Sequence, residues 1–305
     1  MAEPGEAAAR GFVAERYGRR ASAITALGAG DWSRAYELVL DGREVVIRFG
    51  DFVEDFRKDA VMAGHTGARL PVPDVLEIGA AGDGYFAVSV RAHGDLLDQL
   101  DDAGMRAVLP AVLAVLDAIA EVDVSSTLGY GIWEPDLTAE AATWGEALLA
   151  VRQESAREPG WRASLEASPT GAGPFERGYA RLAELAGDLQ APRSLIHGDL
   201  LNRNVLVREG QIMAVIDWGN AMYGDPLYDA AWLIYMWAWY PQWHAIDIGA
   251  ELRRHWADSG GWPADVSRRL TACLLYIGLH AMSYCAFRGR WEDVAWCAER
   301  LAALT

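Results

Sequence analysis

Cysteine is scarce in this sequence. Cys273, Cys285 and Cys297 are the only three among 305 residues, and none belongs to a Cys-x-x-Cys pair. An odd number so spaced argues against a disulfide framework and a cysteine zinc site. The three are expected instead as small apolar residues inside late helices. Histidine is also sparse, with six residues and no His-Glu-x-x-His pair. Positive charge is short: 27 Lys and Arg stand against 43 Asp and Glu, for a net charge of −16. A nucleic-acid partner is argued against, because a phosphate backbone demands a basic face. Solubility alone explains such a charge, although an acidic cleft would also concentrate a cationic ligand. The longest apolar run, Ala230 to Tyr240, is too short for a bilayer. The opening MAEPGEAAAR has neither the basic segment nor the apolar core of a secretion signal. No membrane partner and a reducing, cytoplasmic setting are therefore expected. The remaining composition, 52% apolar and 23% charged, is that of a globular chain able to bury a sizeable core.

Periodicity divides the chain. Residues 7–17 pattern as a short amphipathic helix. Residues 23–27, 35–40 and 44–49 read as a strand meander, with Asp41-Gly42 as a strong hairpin turn. A helix is expected over 53–68. Leu70-Pro71-Val72-Pro73 then breaks the pattern, since a residue before proline avoids the α region. Strands at 75–78 and 86–90 complete about five antiparallel strands, and Arg91–Gly94 reads as a linker. From Leu96 the pattern turns helical, with one buried face over 103–122. Residues 123–142 read as irregular, 143–152 as helix, 159–174 as a Gly-, Ser- and Pro-rich loop, and 175–189 as helix. Further helices are expected over 245–255, 266–288 and 291–304. The fold class is α+β, with a small antiparallel sheet followed by a larger, mostly helical part.

The stretch Ser194–Trp218, SLIHGDLLNRNVLVREGQIMAVIDW, organises the rest. It reads as strand, loop, strand, turn, strand. Leu195–Ile196 enters a loop holding His197, Gly198 and Asp199; Asn204 follows; a turn at Glu209–Gly210 leads to Ile212–Ile216, which delivers Asp217. An acid on a loop can accept a proton from a hydroxyl. An amide oxygen and a second carboxylate can hold Mg²⁺, which prefers oxygen ligands. Asp-x-x-x-x-Asn followed by a metal-binding Asp is the spacing of a kinase catalytic loop. His197 reads as a brace for that loop rather than a base. Asp225 before Pro226 suits the start of a helix. Trp232, Tyr235, Trp237, Trp239, Tyr240 and Trp243 read mostly as core, with one or two rings left to stack on a sugar or base.

The His-Gly-Asp and Ile-Asp-Trp forms resemble the aminoglycoside phosphotransferase family, whose fold is similar to that of protein kinases. GAGDWSRAY, VVIRFG, LPVPDVLEIG, VIDWGNAMYGDPLYDAAW and YIGL follow in the family's order almost from end to end. The resemblance implies a bilobal kinase-like fold, with a nucleotide-binding lobe over 1–91 and a catalytic and substrate-binding lobe over 92–305. It implies Asp199 as catalytic base and Asn204 and Asp217 as Mg²⁺ ligands. Gly28, Gly30, Ser33, Arg48, Arg91 and Ala92 would bind the nucleotide, ATP or GTP. Arg48 replaces the usual strand lysine, a role that a bidentate guanidinium can fill. Asp59, preferred over Asp55, would pair with Arg48, while His197, Asp225 and Asp229 would give structural support. Asp199, Asn202, Trp218, Asn220, Tyr223, Trp237 and Trp239 would meet the substrate. The implied activity is antibiotic O-phosphotransfer, with a hygromycin-type aminoglycoside first. A capuramycin-type nucleoside or another hydroxylated small molecule is the alternative, and a non-catalytic kinase-like binding protein the second. A monomer or weak homodimer is expected. The chain departs from protein kinases in lacking Gly-x-Gly-x-x-Gly and in carrying His-Gly-Asp for His-Arg-Asp.

Overall fold

The structure, a computed structural model, describes residues 5–305 apart from 31, 188, 202 and 258–264. By contact the chain forms two units, residues 1–115 with 201–220 and residues 116–200 with 221–305.

The first unit opens with helix α1 (Glu6–Tyr17) and strands β1 (Thr25–Ala29), β2 (Ser33–Leu40) and β3 (Arg43–Gly50), then helix α2 (Val53–Ala63) and strands β4 (Val75–Ala81), β5 (Gly84–Val90) and β6 (Asp95–Leu96). Five of these strands form an antiparallel sheet in the order β1-β2-β3-β5-β4. The β2–β3 turn is Asp41-Gly42, both left-handed at φ 51° and 80°, the backbone that a two-residue hairpin of matching twist requires. Alternate residues Tyr36, Leu38, Val45, Ile47, Phe49, Phe86 and Val88 bury one sheet face against Ala9, Val13 and Tyr17 of α1. Helix α3 (Asp102–Ala120) follows, with its apolar stripe buried at Met105, Val108, Val112, Val115 and Ile119.

The second unit contains strands β7 (Tyr130–Trp133) and β8 (Ala139–Ala141), helices α4 (Trp144–Leu149), α5 (Trp161–Ala167) and α6 (Gly173–Ala186), and strand β9 (Ser194–Ile196). Strands β10 (Val205–Arg208) and β11 (Gln211–Val215) belong to the first unit and pair with β6 in the order β11-β10-β6. The chain then supplies strand β12 (Met222–Gly224) and helices α7 (Leu227–Met236), α8 (Ile248–Ala257), α9 (Val266–Phe287) and α10 (Trp291–Ala302) to the second unit. Its core gathers Leu148, Trp161, Phe175, Leu182, Tyr235, Leu275, Leu279, Val294 and Leu301, with all three cysteines buried and unbridged.

Two sequence expectations need correction. Residues 123–142 are not irregular throughout but hold β7 and β8, and a third short strand, β12, follows Trp218. Strands β7 and β8 pair with each other, whereas the partners of β12 are remote in sequence: Met222 faces both Ile132 and Ile196. No local periodicity reveals strands of three or four residues. The loop expected over 159–174 contains α5, a short helix held by the burial of Trp161 and Leu165. Helices α3 and α9 are long and apolar enough for a membrane span by length and composition alone. In α9, Cys273, Leu275, Ile277, Leu279 and Met282 lie within the helical core, which accounts for that apolarity.

Candidate active site

The β10–β11 hairpin sets two oxygen-bearing side chains at its open end. Val205 pairs with Val215, and Ile216 N–H donates to the Asn204 carbonyl at 2.9 Å. Asn204, just before β10, is thereby held beside the segment that ends in Asp217. Asn204 is buried, while the Asp217 side chain is 47% exposed. Asp217 has φ 65°, an uncommon conformation for a non-glycine residue that the surrounding turn must hold. A carboxamide and a carboxylate are hard oxygen donors suited to Mg²⁺, which keeps waters and phosphate oxygens in its remaining positions. Among the described residues no group of three or more His, Cys, Asp and Glu forms a metal cage.

The hold on Asp217 comes from α2 and β3. The guanidinium of Arg48 forms an ion pair with Asp59, and its Nη1 lies 3.8 Å from Asp217 Oδ1. The other Asp59 oxygen accepts the Trp218 N–H at 2.9 Å. Beside it, Lys58 Nζ donates to the Gly219 carbonyl at 2.9 Å. A Cβ at position 219 would lie 2.8 Å from Asp55 Cγ, so any side chain there would have to displace the Asp55 carboxyl. Asp59 is thus the Arg48 partner, while Asp55 stands against Gly219.

At the first turn, Gly30 N–H donates to Ser33 O at 2.9 Å. Arg203, at φ 70°, brings its guanidinium to Gly28, where an added Cβ would be 3.0 Å from Nη2. Arg91 Nε is 3.3 Å from Glu37 Oε2, and Arg91 N–H bonds Glu44 O at 3.1 Å; Ala92 follows, half-buried.

In the second unit, β9 feeds the loop of His197, Gly198 and Asp199. His197 is fully buried, and its Nδ1 accepts the Asp199 N–H at 3.2 Å. Asp229 of α7 accepts the N–H groups of His197 and Gly198 at 2.8 and 2.9 Å. Burial pushes the Asp229 carboxyl up to about 6, opposed by those two backbone bonds. Asp225 accepts Leu227 N–H at 3.0 Å and both Nε and Nη2 of Arg269, at 2.7 and 2.6 Å. It therefore starts α7 as expected of a capping side chain and also neutralises a buried arginine.

The ring residues expected at the substrate mostly pack. Trp218 is wholly buried. Tyr223 is buried, stacked on Trp133 with centroids 5.6 Å apart and covered by Arg193 at 4.7 Å. Trp237 is buried, and its Nε1 donates to Trp243 O at 3.1 Å. As aromatic contacts to substrate these three are corrected to packing residues. Trp239, 39% exposed, and the exposed Asn220 retain accessible side chains. Asn202 lies outside the described residues. Lys58, Arg203 and Arg269 were not expected at these places. The Lys58-Asp59 pair on one helix was the only local signal; nothing in the sequence ties Arg269 to Asp225, 44 residues away.

The sequence matches the phosphotransferase enzyme family over residues 23–265. It is 31% identical to hygromycin-B 4-O-kinase of Escherichia coli over 297 residues, covering 96% of this chain and 83% of the relative. It is similar to the crystal structure of a thermostable mutant of aminoglycoside phosphotransferase APH(4)-Ia in a ternary complex with AMP-PNP and hygromycin B. The TM-score is 0.83 at 31% identity, with 97% of both chains covered. The GDP complex of aminoglycoside 2'-phosphotransferase-IIIa shares the fold at a TM-score of 0.64 and 14% identity, over 99% and 98% of the two chains. The fold is thus the kinase-like α+β fold of phosphoryl-transfer enzymes. The chain belongs to the phosphotransferase enzyme family, and it is an enzyme of that chemistry.

Proposed function

We propose that this protein is an antibiotic kinase that transfers the γ-phosphate of ATP or GTP to a hydroxyl of a hygromycin-type aminoglycoside. The observation that carries the reading is the pair Asn204 and Asp217 at the end of one hairpin, with Arg48 beside Asp217. The substrate is supported by the 31% identity to hygromycin-B 4-O-kinase over nearly the whole chain, and the nucleotide by AMP-PNP in the similar complex. In this reading Asp199 accepts the proton of the acceptor hydroxyl. Asn204 and Asp217 hold Mg²⁺, which when bound supplies charge neutralisation over the phosphates. Arg48 and the turn of Gly28, Gly30 and Ser33 orient the phosphate chain, and Arg91 and Ala92 lie along the nucleotide base. Asn220 and Trp239 are the accessible side chains offered to the acceptor. The division into lobes at 91/92, a cytoplasmic setting and a monomer or weak homodimer belong to the same proposal.

The test is a coupled nucleotide-consumption assay of wild type beside Asp199→Asn. Its acceptors are hygromycin B, two other aminoglycosides and a capuramycin-type nucleoside. Turnover that depends on hygromycin B and drops by about 10²–10⁴-fold in the variant is expected, the usual worth of a general base. Near-normal turnover in Asp199→Asn contradicts the base. Turnover with the nucleoside alone replaces the substrate and keeps the reaction.

A further inference from the structure

Lys58 is the only lysine in the chain; the other basic residues counted with it are all arginine. It is also among the largest fully buried side chains, at 2% exposure. Burying an ammonium is costly unless strong partners satisfy it. Here Nζ donates to the carbonyl of Gly219. A compact ammonium can approach one peptide carbonyl end-on, where the planar fork of an arginine demands a wider acceptor.

The neighbours of Lys58 converge on the same turn. Asp55, Lys58 and Asp59 fall at i, i+3 and i+4 on α2, one face of the helix. Asp59 takes the N–H of Trp218, Lys58 the C=O of Gly219, and the Asp55 carboxyl packs where a Cβ at 219 would sit. Three side chains from one helix face thus fix the two residues that follow Asp217. Asp217 itself holds a left-handed backbone at φ 65°, which is strained for a non-glycine residue and persists only where the surroundings impose it. Asp59 also pairs with Arg48, so the same helix face that sets the turn anchors the cation beside Asp217.

We propose that Lys58 is a positioning residue that sets the backbone of Asp217 for metal binding. The inference rests on the proposed role of Asp217 as a Mg²⁺ ligand. Lys58 acts through the Gly219 peptide.

The test reads metal affinity directly. Mn²⁺ stands in for Mg²⁺, and free Mn²⁺ is followed by electron paramagnetic resonance while the full-length protein with AMP-PNP is titrated. Lys58→Met, an apolar side chain of similar length, is expected to raise the half-saturating Mn²⁺ concentration about 10–100-fold, the usual loss when a residue supporting a metal ligand is removed. AMP-PNP affinity measured in EDTA should not change. Gly219→Ala, which keeps the lysine but drives a methyl into Asp55, should weaken Mn²⁺ in the same direction. Adding Asp55→Ala to Gly219→Ala should restore it. Lowered thermal stability with unchanged Mn²⁺ affinity in Lys58→Met overturns the proposal. Absence of saturable Mn²⁺ binding in the wild type is a different failure: it removes the metal-ligand reading of Asp217, and the inference with it.

Discussion

Asp59 and Asp229 do the same task in different units. Each is a buried carboxylate on a helix, and each accepts backbone N–H groups from a loop that carries a candidate functional side chain. Asp59 holds Trp218, next to Asp217; Asp229 holds His197 and Gly198, next to Asp199. They differ in how their charge is met. Asp59 shares its other oxygen with Arg48. Asp229 is met by two peptide dipoles, and burial outweighs them, so its carboxyl titrates at about 6. A buried carboxylate held by N–H groups alone makes a geometric clamp that responds to mild acid. One closed by a guanidinium ties its clamp to a second cation instead.

Asp225 supplies the extreme of the comparison, being fully buried and bound bidentately by a buried arginine. Removing that cation should have the largest effect on stability. Arg269→Met leaves Asp225 as an uncompensated buried charge and is expected to cost about 3–5 kcal/mol in urea unfolding. A loss under 1 kcal/mol would show that the pair is dispensable to the fold.

Asp229→Asn comes next. An amide can accept one of the two N–H groups but turns its NH₂ toward the other. The expected loss is about 1–3 kcal/mol for one unsatisfied buried donor. The variant also isolates the titration. Native Asp229 holds its proton up to about 6, whereas an unfolded aspartate loses it near about 3.9. Between those values the folded state binds the extra proton, so this contribution to stability is full below the window and is lost as pH rises through about 6. The stability difference between wild type and Asp229→Asn should therefore fall from pH 4 to 6 and level above. A difference that stays flat, measured by unfolding at each pH, refutes the account.

The smallest effect is expected where neither charge nor burial is at stake. Trp239 is partly exposed and packs on Trp296 at a centroid distance of 4.6 Å. Trp239→Ala should change stability by less than about 1 kcal/mol, little more than the usual cost at a surface position. Its effect should appear in the KM for the acceptor and not in that for the nucleotide. An unchanged acceptor KM would remove Trp239 from the substrate contacts.

The ordered motif from His197 to Asp217 and the β-hairpin at Asp41-Gly42 were legible because both are local. Spacing along a strand–loop–strand unit and a two-residue turn carry their meaning in a few consecutive residues. The amphipathic stripes of α1, α3 and α6 were legible for the same reason. Helix α2 closed earlier than its pattern suggested, and the short strands β7, β8 and β12 were invisible because three or four residues carry no periodicity and β12 finds its partners, β7 and β9, far away in sequence. The aromatic segment misled in a different way. Trp218, Tyr223 and Trp237 stood beside Trp239 as expected substrate contacts, and only burial separated those three rings from the partly exposed Trp239.

By itself the sequence determined the class of chemistry, the order of the functional segments and the α+β character, since each is written in local spacing and side-chain type. Tertiary structure alone decided which carboxylate meets which cation. Arg48 takes Asp59 while Asp55 stands against Gly219, Asp225 takes Arg269, and the one lysine turns inward to a peptide carbonyl. Those choices depend on which helix face comes to lie against which turn. Burial then fixes their energetic weight, because the same charges left in water would contribute little.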